Sequence, residues 1–370
     1  MSSANLPGSK KNVPQSERKK GEGRGGKFFV LDRDHWAELW RRPTVNRLNF
    51  VSAFLVLLAG TGADHRFTKW SAKACEERVG IGKPRAKVAI DELIAAGLAE
   101  RAETSRPAFP HYRLAEPQSG AEPIFLPIQL VTGLADETPV LRRVRETGDA
   151  MALKKQIDLY GMVDTDAPFG VPLSNLRLLD DSQTACRKLV EMGANTVWAV
   201  HLGGKLVAAG DWCFEHAVKR GSNEPDWSAF WDRLHTLQRL GALWFEPWVF
   251  DGAPLDSEPL YPVEDLTGAS KVSVEAKKLS QLSLLATASL VSGRDYFVEQ
   301  NLDRNFVILP THHRPPAIRG VAKLRVEADT PGRRLAYAKR MKAVADQNAG
   351  LETLMGDIAE SKFDRPIKLS

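Results

Sequence analysis

The chain has 370 residues, 43% of them hydrophobic, with 51 Lys and Arg against 46 Asp and Glu, and a mean hydropathy of −0.28. At ~100–200 residues per domain, this length implies two or three domains, and the composition is that of a globular protein able to bury a core. Residues 1–29 carry seven basic and two acidic side chains, 30–114 carry 14 and 10, and 115–370 carry 30 and 34, so the net +5 sits at the front, which excludes a uniformly basic protein of the histone type.

In chain order, residues 1–29 come first, rich in Gly, Ser and Lys with almost nothing apolar before Phe28. Such a segment cannot offset its ordering entropy by burial and reads as a disordered basic arm. No apolar stretch backs its positive charge, so no secretory signal is expected. Gly21, Gly23 and Gly26 satisfy G-x-G-x-x-G, and Gly21 through Lys27 match the start of a phosphate loop. Both motifs need a buried strand before and a helix after, whereas the flanks are Lys19-Lys20 and Phe28. Both nucleotide readings are rejected, and no cofactor is expected.

Residues 30–115 form the first folded unit. Pro43 and Thr44 mark a helix start, the apolar run Leu48 to Ala59 follows, and Gly60 with Gly62 ends it. That run is too short for a membrane span of ~20 residues and reads as a buried core helix. A second short helix opens at Ser71 and runs through Val79. Gly80-Ile81-Gly82 makes a tight turn, and a third helix runs from Lys83 to Ala96 with Gly97 as its stop. Leu98 to Arg113, broken by Pro107 and Pro110, suits two short strands joined by a flexible tip.

In the third helix, Ala86, Leu93, Ile94 and Gly97 fall within about 60° of Ile90 at 100° per residue, leaving Arg85, Val88 and Glu92 on the other side. One helix with its apolar side buried and its N-terminal residues presented is what the major groove admits. Arg85 is placed to bond a guanine edge and Val88 to touch a thymine methyl. Lys83 and Lys87 suit phosphates, Lys69, Lys73 and Arg78 the backbone, and Arg101, Arg106, His111 and Arg113 arm the strands. Glu92 on the presented side would repel phosphates unless it faces a cytosine amine.

The segment Ser71-Ala-Lys-Ala-Cys-Glu-Glu-Arg-Val-Gly-Ile-Gly82, followed by Lys83-Pro-Arg-Ala-Lys-Val-Ala-Ile-Asp-Glu-Leu-Ile-Ala-Ala-Gly-Leu98, resembles the winged helix-turn-helix family of bacterial DNA-binding proteins. The likeness covers about residues 44–114, a fifth of the chain, and L-I-x-x-G-L before a wing is frequent in that family. It implies double-stranded DNA as partner, with the role (repression, activation or replication) left open.

Residues 124–265 read as mixed α+β. Ile124 to Asn175 is expected to be helical. Val197–Leu202 and Lys205–Ala209 flank Gly203-Gly204 as a hairpin, and a helix from Trp227 to Leu240 leads into strands Leu243–Phe250 and Leu260–Val263. In 266–370, Lys271 to Leu290 reads as helix, Phe306–Leu309 and Gly320–Val326 as strands, and Pro331 to Met355 as a terminal helix. The fold class is therefore α+β, an N-terminal winged helix-turn-helix followed by a larger mixed region. Leu93-x-x-x-Gly97-Leu98 before a hairpin ending in Tyr112 is echoed by Leu237-x-x-x-Gly241-Ala-Leu243 before strands ending in Tyr261. A second winged-helix-like module follows from that echo, an architecture similar to that of plasmid replication initiators. The stretch from Phe125 to Tyr160 also looks similar to segments of bacterial helix-turn-helix proteins of unassigned role. Around Arg233, His235, Gln238 and Arg239 the charge is balanced by Asp226, Asp232 and Glu246, so this module suits dimerisation or protein contact, with a homodimer among the partners.

Other features carry the blander reading. His312-His313 on a strand would point to opposite faces and suits a loop contact rather than a metal. Asp164-x-Asp166 lacks the third ligand of a calcium loop at Pro168 and the closing Glu at Asn175. Trp198, Trp212, Trp231, Trp244 and Trp248 are expected in the core rather than on single-stranded bases. Cys75, Cys186 and Cys213 read as buried thiols. Neither a nucleophile elbow nor a carboxylate pair nor a metal quartet emerges, so the expectation is a cytoplasmic, non-enzymatic DNA-binding protein, probing sequence as a transcriptional regulator. The alternatives are a replication initiator of a plasmid or mobile element and a protein-interaction adaptor.

Overall fold

The computed structural model describes residues 28–117, 120, 123–135, 137–163, 170–171, 186–192, 195–201, 227–252, 259–262, 304–326 and scattered helical positions between 335 and 356. Its centre is α2 (Arg47–Ala59), in which every residue from Phe50 to Ala59 is buried. A helix apolar on all sides has to be enclosed, and α1 (Arg33–Arg41), α3 (Ala72–Val79), α4 (Lys83–Ala95) and β1 (Phe28–Leu31) all pack on it. The cap of α2 is Asn46, whose side chain accepts from the Asn49 N–H at 2.9 Å. Thr44, expected at the helix start, stands outside it because its hydroxyl is engaged by Glu92.

Phe28 and Phe29 depart from the expected arm. As β1 they pair antiparallel with β5 (Ile124–Pro127), Phe28 opposite Pro127 and Leu31 opposite Ile124. Alternation in Phe28-Phe-Val-Leu31 buries Phe29 and Leu31, and the Phe28 ring meets Phe125 edge-on at 5.5 Å. The rest of the arm, with its glycine motifs, lies outside the described residues. Continuing along the chain, β2 (Phe67–Thr68), β3 (Ala99–Arg101) and β4 (Tyr112–Leu114) form an antiparallel sheet in the order β2-β4-β3. The tightly spaced β3 and β4 were legible; β2, two residues long, was not.

The stretch expected to be helical from Ile124 opens instead with β5 and then breaks into α5 (Gln129–Thr132), α6 (Val140–Glu146) and α7 (Ala150–Gly161). Gly133 and Gly148, both at positive φ, and Pro139 separate them, since neither residue type sustains a helix interior. Asp149 caps α7 by accepting from the N–H groups of Met151 and Ala152. The Asp164-x-Asp166 turn and Asn175 lie outside the described residues.

Strand β7 (Asn195–His201) forms, but its partners are β6 (Cys186–Met192) and β10 (Arg304–Pro310), in the order β10-β7-β6. The proposed second arm Lys205–Ala209 and Gly203-Gly204 lie outside the described residues. After α8 (Trp227–Arg239), strands β8 (Leu243–Phe250), β9 (Pro259–Pro262) and β11 (Ala317–Leu324) make a third three-stranded sheet, ordered β11-β8-β9. Val171 bridges to Ala322 on its β11 edge. Described positions of the expected terminal helix are helical, whereas Lys271 to Leu290 falls outside the described residues.

The ends of α4 and α8 share one pattern. Gly97 and Gly241 have φ of +71° and +65°. The Leu98 N–H donates to Leu93 O at 3.0 Å, and the Ala242 N–H to Leu237 O at 2.9 Å, the Schellman arrangement in each case. Before them, Ala86, Ile90 and Leu93 are buried in α4, and Phe230, Leu234 and Leu237, at the same spacing, in α8. After them, Ala115 donates to Leu98 O at 3.1 Å and Arg325 to Ala242 O at 2.9 Å. The strand standing in the place of β4 is thus β11, and not the segment ending in Tyr261. One continuous set of buried side chains joins Phe29 to Val326, so residues on both sides of 115 share a core.

The chain is therefore α+β, eight helices among the described residues with small antiparallel sheets. No helix among the described residues is long and apolar enough to cross a membrane.

Candidate nucleic-acid interface

Helix α3 ends at Gly80, whose φ of +69° turns the chain sharply, and Ile81 plugs into the core at 1% exposure. Gly82 then caps α4 without a side-chain bond. Within α4 the two sides separate: Ala86, Ala89, Ile90 and Leu93 are buried, and Lys83, Arg85, Lys87, Val88 and Asp91 are exposed. Ile94 and Gly97, expected on the buried side, are half-buried and exposed, because α4 stops at Ala95 and the chain leaves helical geometry there. Val88 is 51% exposed, an apolar side chain standing among cations.

Arg85 and Lys87 have no carboxylate partner among the described residues. Lys83 pairs with Glu76 and Lys73 with Glu77, each at 3.6 Å with both partners largely exposed. Such surface pairs are worth little and exchange readily for another anion. Lys69 is exposed just after β2, and Arg78 lies over the Trp70 ring at 5.4 Å. On the strands, Arg101 meets Asp91 of α4 at 3.4 Å, and Arg113 projects outward from β4. Arg106 lies at the tip, bridged to Phe109, which is 71% exposed. His111 is partly covered, its ring against Phe67 at 5.6 Å and its Nδ1 3.2 Å from the Thr104 hydroxyl.

Comparison with known proteins is short. No family model, curated protein or solved structure matches the chain. What the site can do therefore rests on its own geometry.

Three residues matter more than their local sequence suggested. Glu92 does not stand free on the presented side: its carboxylate accepts from the Thr44 hydroxyl at 2.8 Å and from the Val45 N–H at 2.9 Å. It ties α4 to the segment entering α2, so no cytosine contact is needed to account for it. The other two come from α6. Arg145 donates through Nε to Val79 O at 2.7 Å and through Nη2 to Gly80 O at 3.2 Å, satisfying carbonyls left unpaired at the end of α3. Arg142 pairs with Glu146 at 2.8 Å, and its Nε lies 3.2 Å from where a Cβ on Gly80 would stand. No local pattern links residues 142–145 to the glycine turn; only the packing of α6 on α3 does.

Among the remaining sequence features, Trp248 is buried with its Nε1 bonded to Glu246 at 2.9 Å, while Trp198, Trp231 and Trp244 are half-buried and Trp212 lies outside the described residues. Arg233 pairs with the α7 cap Asp149 at 2.8 Å. His312 and His313 occupy the turn after β10, their rings 4.7 Å apart. Cys75 is fully buried, and burial pushes its thiol up to about 12. Cys186 lies in β6 and Cys213 outside the described residues.

Proposed function

We propose that the chain is a sequence-specific binder of double-stranded DNA, a transcriptional regulator, whose residues 30–115 form a winged helix-turn-helix that reads the major groove with α4. The observation that carries this reading is the division of α4: four apolar residues are buried while Lys83, Arg85, Lys87 and Val88 are exposed on the N-terminal half. Recognition helices present that half to base edges. The order helix, β2, α3, α4, β3, β4 with β4 central in its sheet supports the same reading, and Asp91–Arg101 ties α4 to the strand pair. Arg85 would bond a guanine edge and Val88 a thymine methyl. Lys69, Lys73, Lys83, Lys87, Arg101, Arg106, His111 and Arg113 would meet phosphates, which add affinity without sequence information. Binding without catalysis, a cytoplasmic location and homodimer formation belong to this proposal.

A second reading, a replication initiator of a plasmid or mobile element, is favoured by the repeated pattern at α4 and α8. It supports a second winged-helix-like module made of α7, the Val171 bridge, α8, β8 and β11. The cationic side is not repeated: counted back from Gly97 and Gly241, Arg85, Lys87 and Val88 correspond to Ala229, Trp231 and Asp232. That favours α4 as the reader and α8 as a contact of another kind.

Selection of bound fragments from sheared genomic DNA by the full chain tests the proposal. Recovery of a defined duplex is the expected result. Random recovery would contradict sequence reading, and recovery of directly repeated sites would move the reading to the initiator.

A further inference from the structure

The turn after α3 gathers more positive charge than the helix-turn-helix itself supplies. Arg142 and Arg145 reach it from α6, roughly sixty residues downstream, and Arg85 projects beside it from the first turns of α4. The burial of Arg145 lowers its pKa from the ordinary value; Glu146 opposes that effect, and the charges of Arg142 and Arg85 reinforce it. Three guanidiniums thus feel one another, with Glu146 the carboxylate paired to Arg142. Arg145 is occupied in holding two carbonyls of the turn, which leaves Arg142 and Arg85 as the pair facing solvent. The Arg142 side chain is 40% exposed and Glu146 46%, so an incoming anion can replace that carboxylate at small cost.

Resting on the reading of α4 as the DNA helix, we infer that α6 is a third element of the DNA interface: a backbone phosphate of the bound duplex docks between Arg142 and Arg85, over a turn that Arg145 holds in place. The fork of a guanidinium matches phosphate oxygens two at a time, and two forks from separate elements fix the register of α4 on the duplex. Arg142 contributes position and affinity, while Arg85 also reads sequence.

Fluorescence polarisation of the full chain, on its selected duplex and on a scrambled duplex over a salt series, tests this. Arg142→Gln is expected to weaken both duplexes by the same factor and to reduce the slope of log K against log salt by about 0.9, one phosphate contact. Arg142→Lys, which keeps a charge without the fork, recovers most of the slope, separating a lost contact from a lost fold. An unchanged slope and affinity in Arg142→Gln overturns the inference and leaves the reading of α4 standing, as does a loss that Arg142→Lys fails to recover. Absence of duplex binding by the unaltered chain overturns both.

Discussion

Two glycines separated by one residue should respond in opposite ways to the same methyl group. At Gly80 the backbone lies at φ +69°, a conformation that costs an L-residue ~1–2 kcal/mol. The added Cβ would also stand 3.2 Å from Arg142 Nε and 3.3 Å from Arg145 Nη2. Both are ends of flexible side chains, but moving Arg145 loosens its bonds to Val79 O and Gly80 O, each worth about 0.5–1.5 kcal/mol. Against this, restricting the unfolded chain returns about 0.4–1 kcal/mol. Gly80→Ala should therefore cost ~1–2 kcal/mol. At Gly82 φ is −53° and no atom lies within 4 Å of a Cβ, so the unfolded-chain gain roughly cancels the poorer cap, and Gly82→Ala should stay within about 0.5 kcal/mol. Because the core is continuous from Phe29 to Val326, a conversion of ~2–4 °C per kcal/mol applies. Thermal unfolding by circular dichroism should then place Gly80→Ala about 2–8 °C below the unaltered chain and Gly82→Ala close to it. Hydrogen exchange in α3 and α4 should report the same order. If Gly82→Ala costs as much as Gly80→Ala, the account of the turn is wrong.

Further expectations concern the two sides of α4 and the residues that anchor it. Leu93→Ala, at a fully buried position, should cost ~3–5 kcal/mol, whereas Val88→Ala should leave the denaturation midpoint unchanged and weaken duplex binding; equal stability losses would refute the division of the helix. Glu92→Ala should cost about 1–3 kcal/mol by releasing Thr44 and Val45, seen as faster amide exchange at Val45, and an unchanged rate there would refute the tie. The Cys75 thiol, with a native value of about 12 against an ordinary 9.0, holds its proton longer when folded. Its contribution to stability is therefore full below about pH 9 and falls as pH rises towards about 12. Cys75→Ala should flatten that part of the pH–stability curve, and an identical curve would contradict the burial effect.

Local periodicity made α4, its buried side and its glycine stop readable, because i, i+3 and i+4 spacing needs no knowledge of the partner surface. The same held for α8 and β8, whose turn chemistry lies within a few residues. Where the partner is distant, the sequence carried no comparable signal. Phe28 and Phe29 read as the end of a polar arm until β5 supplies the strand that pairs with them. The register of β7 with β6 and β10 was hidden for the same reason, since an alternating strand does not name its neighbour. At the candidate interface, the exposed cations of α4 were legible, but Glu92 and the arginines of α6 acquire their roles only from tertiary packing. The opening charge argument also shifts: the cationic surface at the front draws on Arg142 and Arg145, inside the half whose net charge is negative.

The central claim, that α4 reads DNA sequence, is tested most directly by one ratio: affinity for the selected duplex over affinity for its scrambled counterpart, at a single fixed salt concentration. In the Arg85→Ala, Lys87→Ala double variant this ratio should fall at least tenfold, since a bidentate base contact supplies about 1–3 kcal/mol of discrimination, with the thermal midpoint unchanged because both side chains are exposed. A ratio equal to that of the unaltered chain would contradict the account.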